Sequence, residues 1–256
     1  MVKTRATPAP PPVRVLPNRL LEALAVGGRQ RFMAACDSID LESGAVLHQA
    51  GAFIEYVYFP TSSFISVMIP VDEGSVLEVG LIGDEGMLGL PLLLGVDASS
   101  LRALVQGRGH AWRMEAETFG IELEHHPRLK RKLMRYMQVC ICQLAQSAAC
   151  TRFHMVEQRL ARWLLMTQDR AHQDEFHVTH EFLAYMLGVR RVGVTKAATA
   201  LQKRHLIQYH RGAVTVLDRL GMQLAACSCY QADRDTYEGL LPAADRRPRR
   251  LKPAMS

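Results

Sequence analysis

The apolar positions along the chain follow two periods. Between residue 38 and about residue 113 they fall in short runs or alternate with polar residues: Ala45–Ala50, Tyr56–Phe59, Ser63–Ile69, Val76–Ile82 and Ala103–Trp112. Gly, Pro, Asp and Ser separate these segments at about 8–12-residue spacing. No helical stretch of about 10–15 residues intervenes, so the pattern predicts a sandwich or jelly roll rather than βαβ units. Val71-Asp72-Glu73-Gly74-Ser75 reads as a hairpin turn. Upstream, Leu20, Leu21, Leu24, Phe32 and Met33 predict short helices, interrupted at Gly27-Gly28.

From Glu115 the period lengthens to that of a helix. Glu115–Phe119 opens a first helical stretch, and a long helix is predicted from about Pro127 to Ala149. Pro127 suits a first helical turn, where no N–H partner is lost. Leu129, Leu133, Met137, Cys140 and Leu144 step by 4, 4, 3 and 4, a coiled-coil-like seam. Met134, Ile141, Ala145 and Ala148 widen the apolar surface. A helix of roughly 23 residues is ~34 Å long. With two apolar flanks it can pack on its own domain and on a partner helix, or bury a single wide face. His154–Asp169 forms another amphipathic helix through Val156, Leu160, Trp163 and Leu164, and the polar stretch Arg170–His177 reads as a loop.

The next segment carries the chemistry. Thr179 is placed to cap a helix by offering its hydroxyl oxygen to free backbone N–H groups. Leu183, Ala184 and Leu187 give that helix a buried stripe, and Gly188 follows where a left-handed residue ends it. A second helix opens at Val189-Arg190-Arg191 and runs to about Arg204. Its apolar face is Val194, Ala197, Ala198 and Leu201; its other face carries Arg190, Arg191, Thr195, Lys196 and Lys203. Ala184, Gly188 and Val194 supply the small contact, the turn and the apolar wedge that two helices crossing at about 90–120° need. Leu206–His210 and Ala213–Leu217 then read as two strands joined at Arg211-Gly212, a wing.

Composition and charge sharpen this picture. The 256 residues are 48% hydrophobic and 22% charged, ordinary globular values that exclude a wholly disordered chain. Residues 1–125 carry 9 Lys and Arg against 15 Asp and Glu, whereas residues 126–256 carry 22 against 10. Within 190–217 there are six Lys and Arg and no acid, the composition phosphate neutralisation requires. DNA is the partner this stretch fits. The Pro-rich residues 1–18 read as a disordered leader without the apolar core of a secretory signal. No apolar run approaches the ~18 residues of a membrane span, so no membrane partner and a cytoplasmic location are expected. The basic residues Arg246–Lys252 belong to a tail taken to span 231–256.

Candidate chemical constellations are few. The six cysteines, at 36, 140, 142, 150, 227 and 229, include no CxxC pair and no Cys/His set at zinc-finger spacing, so free thiols in a reducing compartment are expected. Gly83-Asp84-Glu85-Gly86 reads as a solvated turn, and His125-His126 as a surface or capping pair. Phosphate-binding Gly-rich loops and nucleophile elbows are absent from the sequence. An enzyme, a bound metal and a cofactor are therefore not expected.

With these residues in view, the chain resembles the Crp/Fnr superfamily of bacterial transcription regulators over about residues 30–230, most strongly in HVTHEFLAYMLGVRRVGVTKAATALQKRHLIQYHRGAVTVLDR. The resemblance implies an α+β protein. An N-terminal β jelly roll of cyclic-nucleotide-binding type (19–125) would be followed by a dimerisation helix (126–150) and a C-terminal winged helix-turn-helix (151–230). It implies a homodimer joined through the 127–149 helix, reading a near-palindromic double-stranded operator, with RNA polymerase as a candidate partner. By position, Arg191 matches the family's base-reading arginine, suited to bidentate contact with guanine. Arg190, Thr195 and Lys196 would read bases or hold phosphates; Thr179, His180 and the wing's Arg211 would touch the backbone. Val192 stands where the family commonly has an acidic reader. In the effector region Gly89, Leu90 and Arg102 occupy the cassette positions. Leu90 stands in place of the ribose-binding glutamate, and Arg102 lacks its serine. The resemblance thus implies a degenerate cyclic-nucleotide pocket. The other reading is a constitutive DNA-binding module whose β-roll is an interaction or dimerisation scaffold without a small-molecule effector.

Overall fold

A computed structural model describes residues 18–24, 26–71, 76–210 and 212–242. The first half builds two antiparallel sheets. One has the order β1 (Asp37–Leu41), β7 (Gly109–Glu115), β3 (Tyr56–Pro60); the other runs β2 (Val46–His48), β6 (Arg102–Gly107), β4 (Phe64–Pro70), β5 (Val76–Ile82). Ile65, Val67, Ile82, Leu88, Ala103, Val105 and Ala111 fill the space between the sheets. The other face of β3 is buried as well, under helices, which is why Tyr56–Phe59 is a continuous apolar run rather than an alternation.

Helices α1 (Val26–Ala34), α2 (Ala116–His125) and α3 (Pro127–Phe153) cover that face. Phe59 is the hub, edge-on to Phe32 at 5.8 Å and tilted against Phe119 at 6.2 Å. Leu129, Leu133, Tyr136 and Val139 of α3 complete this cluster. The rest is α4 (Val156–Ala171), β8 (Glu175–His177), α5 (His180–Leu187), α6 (Arg191–Lys203), β9 (Ile207–His210), β10 (Ala213–Val216), α7 (Arg219–Ala225) and α8 (Cys229–Leu240). Leu160, Leu164, Leu183, Val194, Leu201, Ile207, Val214 and Met222 form its core. Met68 of β4 belongs to that same core, so the sheet and the helical half share buried surface.

Several expectations are corrected. Gly27 and Gly28 lie inside α1 and do not interrupt it. A Cβ on Gly28 would come within 3.1 Å of the His126 ring, so glycine there permits close packing. The segment 103–112 is two strands, not one. The chain crosses between the sheets at Gly107–Gly109, where a Cβ on Gly109 would sit 2.5 Å from the Ser62–Ser63 backbone. β1 escapes the hydrophobic pattern because Asp37-Ser38-Ile39-Asp40-Leu41 is an edge strand with Leu41 alone buried. The stretch 170–177 contains β8, which joins the wing as its third strand.

The ends differ too. Asn18, assigned to the leader, is 1% exposed and donates to the carbonyls of Pro60 and Gly86 at 2.9 and 2.8 Å. The remaining leader, residues 1–17, lies outside the described residues, as do turn residues 72–75 and the tail beyond 242. Residues 231–240, assigned to the tail, belong to α8, which packs along α3. The Asp84-Glu85 turn is not solvated. Both residues are buried, Glu85 pairing with Arg170 at 2.7 Å and Asp84 with Arg19 at 3.0 Å. His126 is the cap residue between α2 and α3, as one expectation had it, and lies half-buried beside Glu122 at 3.2 Å.

The seam on α3 splits in two. Leu129 and Leu133 face the β-roll, whereas Met134, Ile141 and Leu144 are 53%, 52% and 45% exposed, with Ala145 and Ala148 exposed beside them. No helix among the described residues is long and apolar enough to cross a membrane.

Candidate nucleic-acid interface

The site rests on the turn between α5 and α6. Thr179 caps α5, its hydroxyl oxygen accepting from the Phe182 N–H at 3.1 Å. Gly188 ends the helix at φ 60°, and the Val189 N–H reaches back to the Ala184 carbonyl at 3.0 Å. This left-handed closure turns the chain sharply and satisfies carbonyls the helix leaves open. The guanidinium of Arg159, buried in α4, donates to the Leu187 carbonyl and ties the turn to the core. Val194 inserts beneath, fully buried.

α6 then presents one face to solvent. Arg190, in extended backbone just before it, and Arg191, Val192, Thr195, Lys196, Thr199 and Lys203 on it are all exposed. Arg190, Arg191, Lys196 and Lys203 form no ion pair with any described residue. The neighbouring Arg204 is engaged by Glu157 at 3.0 Å. No acid lies in the first turn and no side chain caps it, so the positive end of the helix dipole adds to the arginine charges. Unpaired cations beside a bare helix N-terminus can hold phosphates, and arginine's planar fork can match the acceptor edge of a guanine.

His180 packs between α6 and the wing. Its ring stacks on Tyr209 of the wing, with centroids 4.4 Å apart, and its Nδ1 lies 3.1 Å from Thr195 Oγ1. The Thr195 hydroxyl donates to the Arg191 carbonyl at 3.1 Å, which leaves its oxygen to accept from a neutral Nδ1–H. Burial, aided by the Arg191 charge, pushes the His180 pKa down and so favours the neutral ring. Tyr209 in turn donates to the Val178 carbonyl at 2.6 Å. His180 and Tyr209 thus brace α5, α6 and the wing against one another, while Arg190, Arg191 and Lys196 remain free at the surface.

The wing is the three-stranded sheet β8-β10-β9. Arg211 lies outside the described residues. Gly212 beside it adopts φ 86°, with its Cα so close to His177 that a Cβ would approach the ring to 2.6 Å. Val192 and Thr199 share the exposed face of α6 and Tyr209 braces it, the last two beyond the residues expected there. The period of α6 alone is enough to expose the first two, since both follow the spacing of Lys196 and Lys203.

The effector-region residues fall on two elements of the β-roll. Gly89, at φ 108°, starts a short 3-10 turn, Leu90–Leu94, against Val57 of β3. Leu90 packs on the helical cluster that covers β3. Arg102 opens β6 in the other sheet, opposite Met68. A cavity of about 1090 Å³ lies elsewhere, between α3, α4 and α8, and none of the three lines it; Arg128, Arg131, Arg135, Asp233, Arg234 and Tyr237 do.

Residues 158–224 match the Crp-like helix-turn-helix domain family. Solved structures share the architecture of about three quarters of the chain. FixK2 from Bradyrhizobium japonicum is 12% identical, with a TM-score of 0.64 over 75% of this chain and 98% of that one. The c-di-GMP-responsive global regulator CLP from Xanthomonas campestris is 16% identical, with a TM-score of 0.62 over 75% and 99%. A CRP-family transcriptional regulator of Thermus thermophilus is 19% identical, with a TM-score of 0.61 over 73% and 96%. No curated protein matches the sequence significantly. The chain therefore has the fold of the Crp/Fnr transcription regulators and carries a Crp-like helix-turn-helix domain over residues 158–224.

Proposed function

We propose that the protein is a homodimeric, sequence-specific transcription regulator whose paired α6 helices enter successive major grooves of a near-palindromic operator. The observation that carries this reading is the exposed face of α6: Arg190, Arg191 and Lys196, without acidic partners among the described residues, on a braced helix-turn-helix and wing. Arg191 is the base reader, and the exposed Val192 beside it is suited to a thymine methyl group. Lys203 and Arg211 hold phosphate. Thr179 can still donate its hydroxyl hydrogen to phosphate while its oxygen caps α5. The outward row Met134, Ile141, Leu144, Ala145 and Ala148 supports dimerisation through α3, because its spacing is that of a coiled-coil seam. RNA polymerase is a candidate partner of the DNA-bound dimer.

The test is selection of binding sites from random duplex DNA by the purified chain. A two-fold-symmetric site with half-sites about one helical turn apart is expected. Enrichment of asymmetric sequence, or none with any added effector, would overturn the reading.

The placement of Leu90 in an apolar cluster, with Arg102 in the opposite sheet, favours a degenerate cyclic-nucleotide pocket and equally a β-roll that binds no effector. A thermal-melt screen separates these. A nucleotide at 100 times its Kd stabilises by about 2.7 kcal/mol, whereas a β-roll serving as scaffold shows no shift with any nucleotide.

A further inference from the structure

Away from the DNA-facing surface, the fold gathers four soft ligands that the sequence keeps far apart. Cys150 lies in the last turn of α3. His154 is the residue that ends that helix, its N–H bonded to the Cys150 carbonyl at 3.1 Å. Cys227 and Cys229 flank the start of α8, more than 70 residues later. Cys150 Sγ lies 3.4 Å from Cys227 Sγ, and Cys229 Sγ lies 3.4 Å from His154 Nδ1. All four ligand atoms fall within 4.8 Å of one another. The three cysteines form a small buried cluster of their own, and His154 lies half-buried at its rim.

We propose that Cys150, His154, Cys227 and Cys229 form a tetrahedral site for one zinc ion per chain. Three thiolates and one imidazole are a closed structural zinc set, and Zn–S bonds of about 2.3 Å at tetrahedral angles place sulfurs about 3.8 Å apart. The observed spacings need only small side-chain adjustments to reach that. The surroundings suit the charge. Three thiolates around Zn²⁺ leave one net negative charge, and the buried guanidinium groups of Arg159 and Arg162 lie within electrostatic reach of Cys150. Gln146 donates to Cys229 Sγ at 3.0 Å, the kind of outer hydrogen bond that orients a thiolate ligand. A set made wholly of sulfur and nitrogen disfavours magnesium and calcium, which take oxygen ligands. The remaining cysteines, Cys36, Cys140 and Cys142, lie outside the cluster.

The location gives the site a mechanical role. It joins the bend between α3 and α4 to the bend between α7 and α8, and so pins the C-terminal helix to the hinge through which the helix-turn-helix hangs from α3. The site itself stands independently of the DNA-binding reading.

The experiment uses the full reduced chain titrated with Co²⁺ as a spectroscopic substitute, then with Zn²⁺. One Co²⁺ per chain is expected, with the intense visible bands of tetrahedral coordination and thiolate-to-metal charge transfer; Zn²⁺ then bleaches both. Site-resolved alkylation with and without Zn²⁺ is expected to slow at least tenfold at Cys150, Cys227 and Cys229 and to stay unchanged at Cys36, Cys140 and Cys142. Gln146→Ala is expected to weaken binding about tenfold, and Cys229→Ser to weaken it further with loss of charge-transfer intensity. Weak octahedral-type bands, protection of other cysteines, or no binding at stoichiometric metal would overturn the proposal. So would a Cys150–Cys227 disulfide as the state that the chain adopts in preference to metal. The alkylation comparison uses the unaltered chain, so its outcome does not depend on a variant folding.

Discussion

The indole N–H of Trp163 in α4 donates to Oε1 of Glu78 in β5 at 2.7 Å, and the second carboxyl oxygen of Glu78 accepts from Ser66 at 2.6 Å. A carboxyl group thus sits where the sheet meets the helical half, with both oxygens engaged. Burial raises its pKa from 4.5 to about 7, and its hydrogen bonds and the Arg170 and Arg162 charges only partly offset this. The folded chain therefore binds this proton more tightly than the unfolded chain does. The contribution to stability is complete below pH 4.5 and is lost as pH rises through about 7. Urea unfolding should show a loss of up to about 3 kcal/mol from this group between about pH 5 and 8. Glu78→Gln, which keeps an acceptor for Trp163, should abolish that part of the pH dependence. A variant with the wild-type pH profile would place the titration elsewhere.

Arg191 and Lys203 stand at opposite ends of α6, and their roles should separate. Arg191→Ala is expected to cost about 1–3 kcal/mol at one base position and to relax preference there. Lys203→Ala should weaken all sequences alike and lower the salt slope of binding by about one. Fluorescence anisotropy on an operator and its single-base variants, across a salt series, reads both. Equal loss of specificity in the two variants would contradict the division.

The outward row on α3 predicts the assembly state. Ile141 is 52% exposed in the single chain, so Ile141→Glu should leave the fold intact. Placed in a two-fold seam, it sets like charges against each other where an apolar contact stood. Sedimentation velocity should find the unaltered chain as a dimer and the variant as a monomer with near-normal circular dichroism. A variant that remains dimeric would move the interface away from α3.

Gly188 holds the turn that aims α6. At φ 60°, a Cβ would be strained by the backbone and would approach Leu77 Cδ1 to 3.1 Å. Gly188→Ala should cost about 1–2 kcal/mol. The cost should appear in chemical denaturation even without DNA, because the strain belongs to the fold. An unchanged midpoint would mean that the turn relaxes without penalty.

The helix-turn-helix is readable in the sequence because its signals are local. A cap, a glycine and an apolar wedge at fixed offsets determine the crossing of α5 and α6 within about twenty residues. The bracing by His180 and Tyr209 is not readable, since it depends on the wing folding back across the sequence. Asn18 and α8 escape for a related reason. A polar residue beside a Pro-rich leader and an amphipathic stretch near a basic tail look solvated until their distant partners are known. Glu85 shows the same limit: its partner Arg170 lies far along the chain, and nothing beside the turn signals that it is buried. On α3 the apolar residues are visible, but which of them face inward is decided by the position of Phe59 and Phe119, not by the spacing itself.

Helix α8 also sets an order of events in synthesis. Leu241, with Tyr237 and Leu240 beside it, shares one apolar cluster with Leu20, Leu21 and Phe59. The cluster that α1, α2 and α3 close over the first sheet therefore lacks its last members until nearly the last described residue has emerged. The helix-turn-helix and wing are completed inside that interval. A message cut short after residue 225 would still encode every DNA-facing residue named above, yet would deny the N-terminal core its closing piece. Such a product would carry an intact reading head on an unfinished body, and its fate would fall to the proteases that remove incomplete chains.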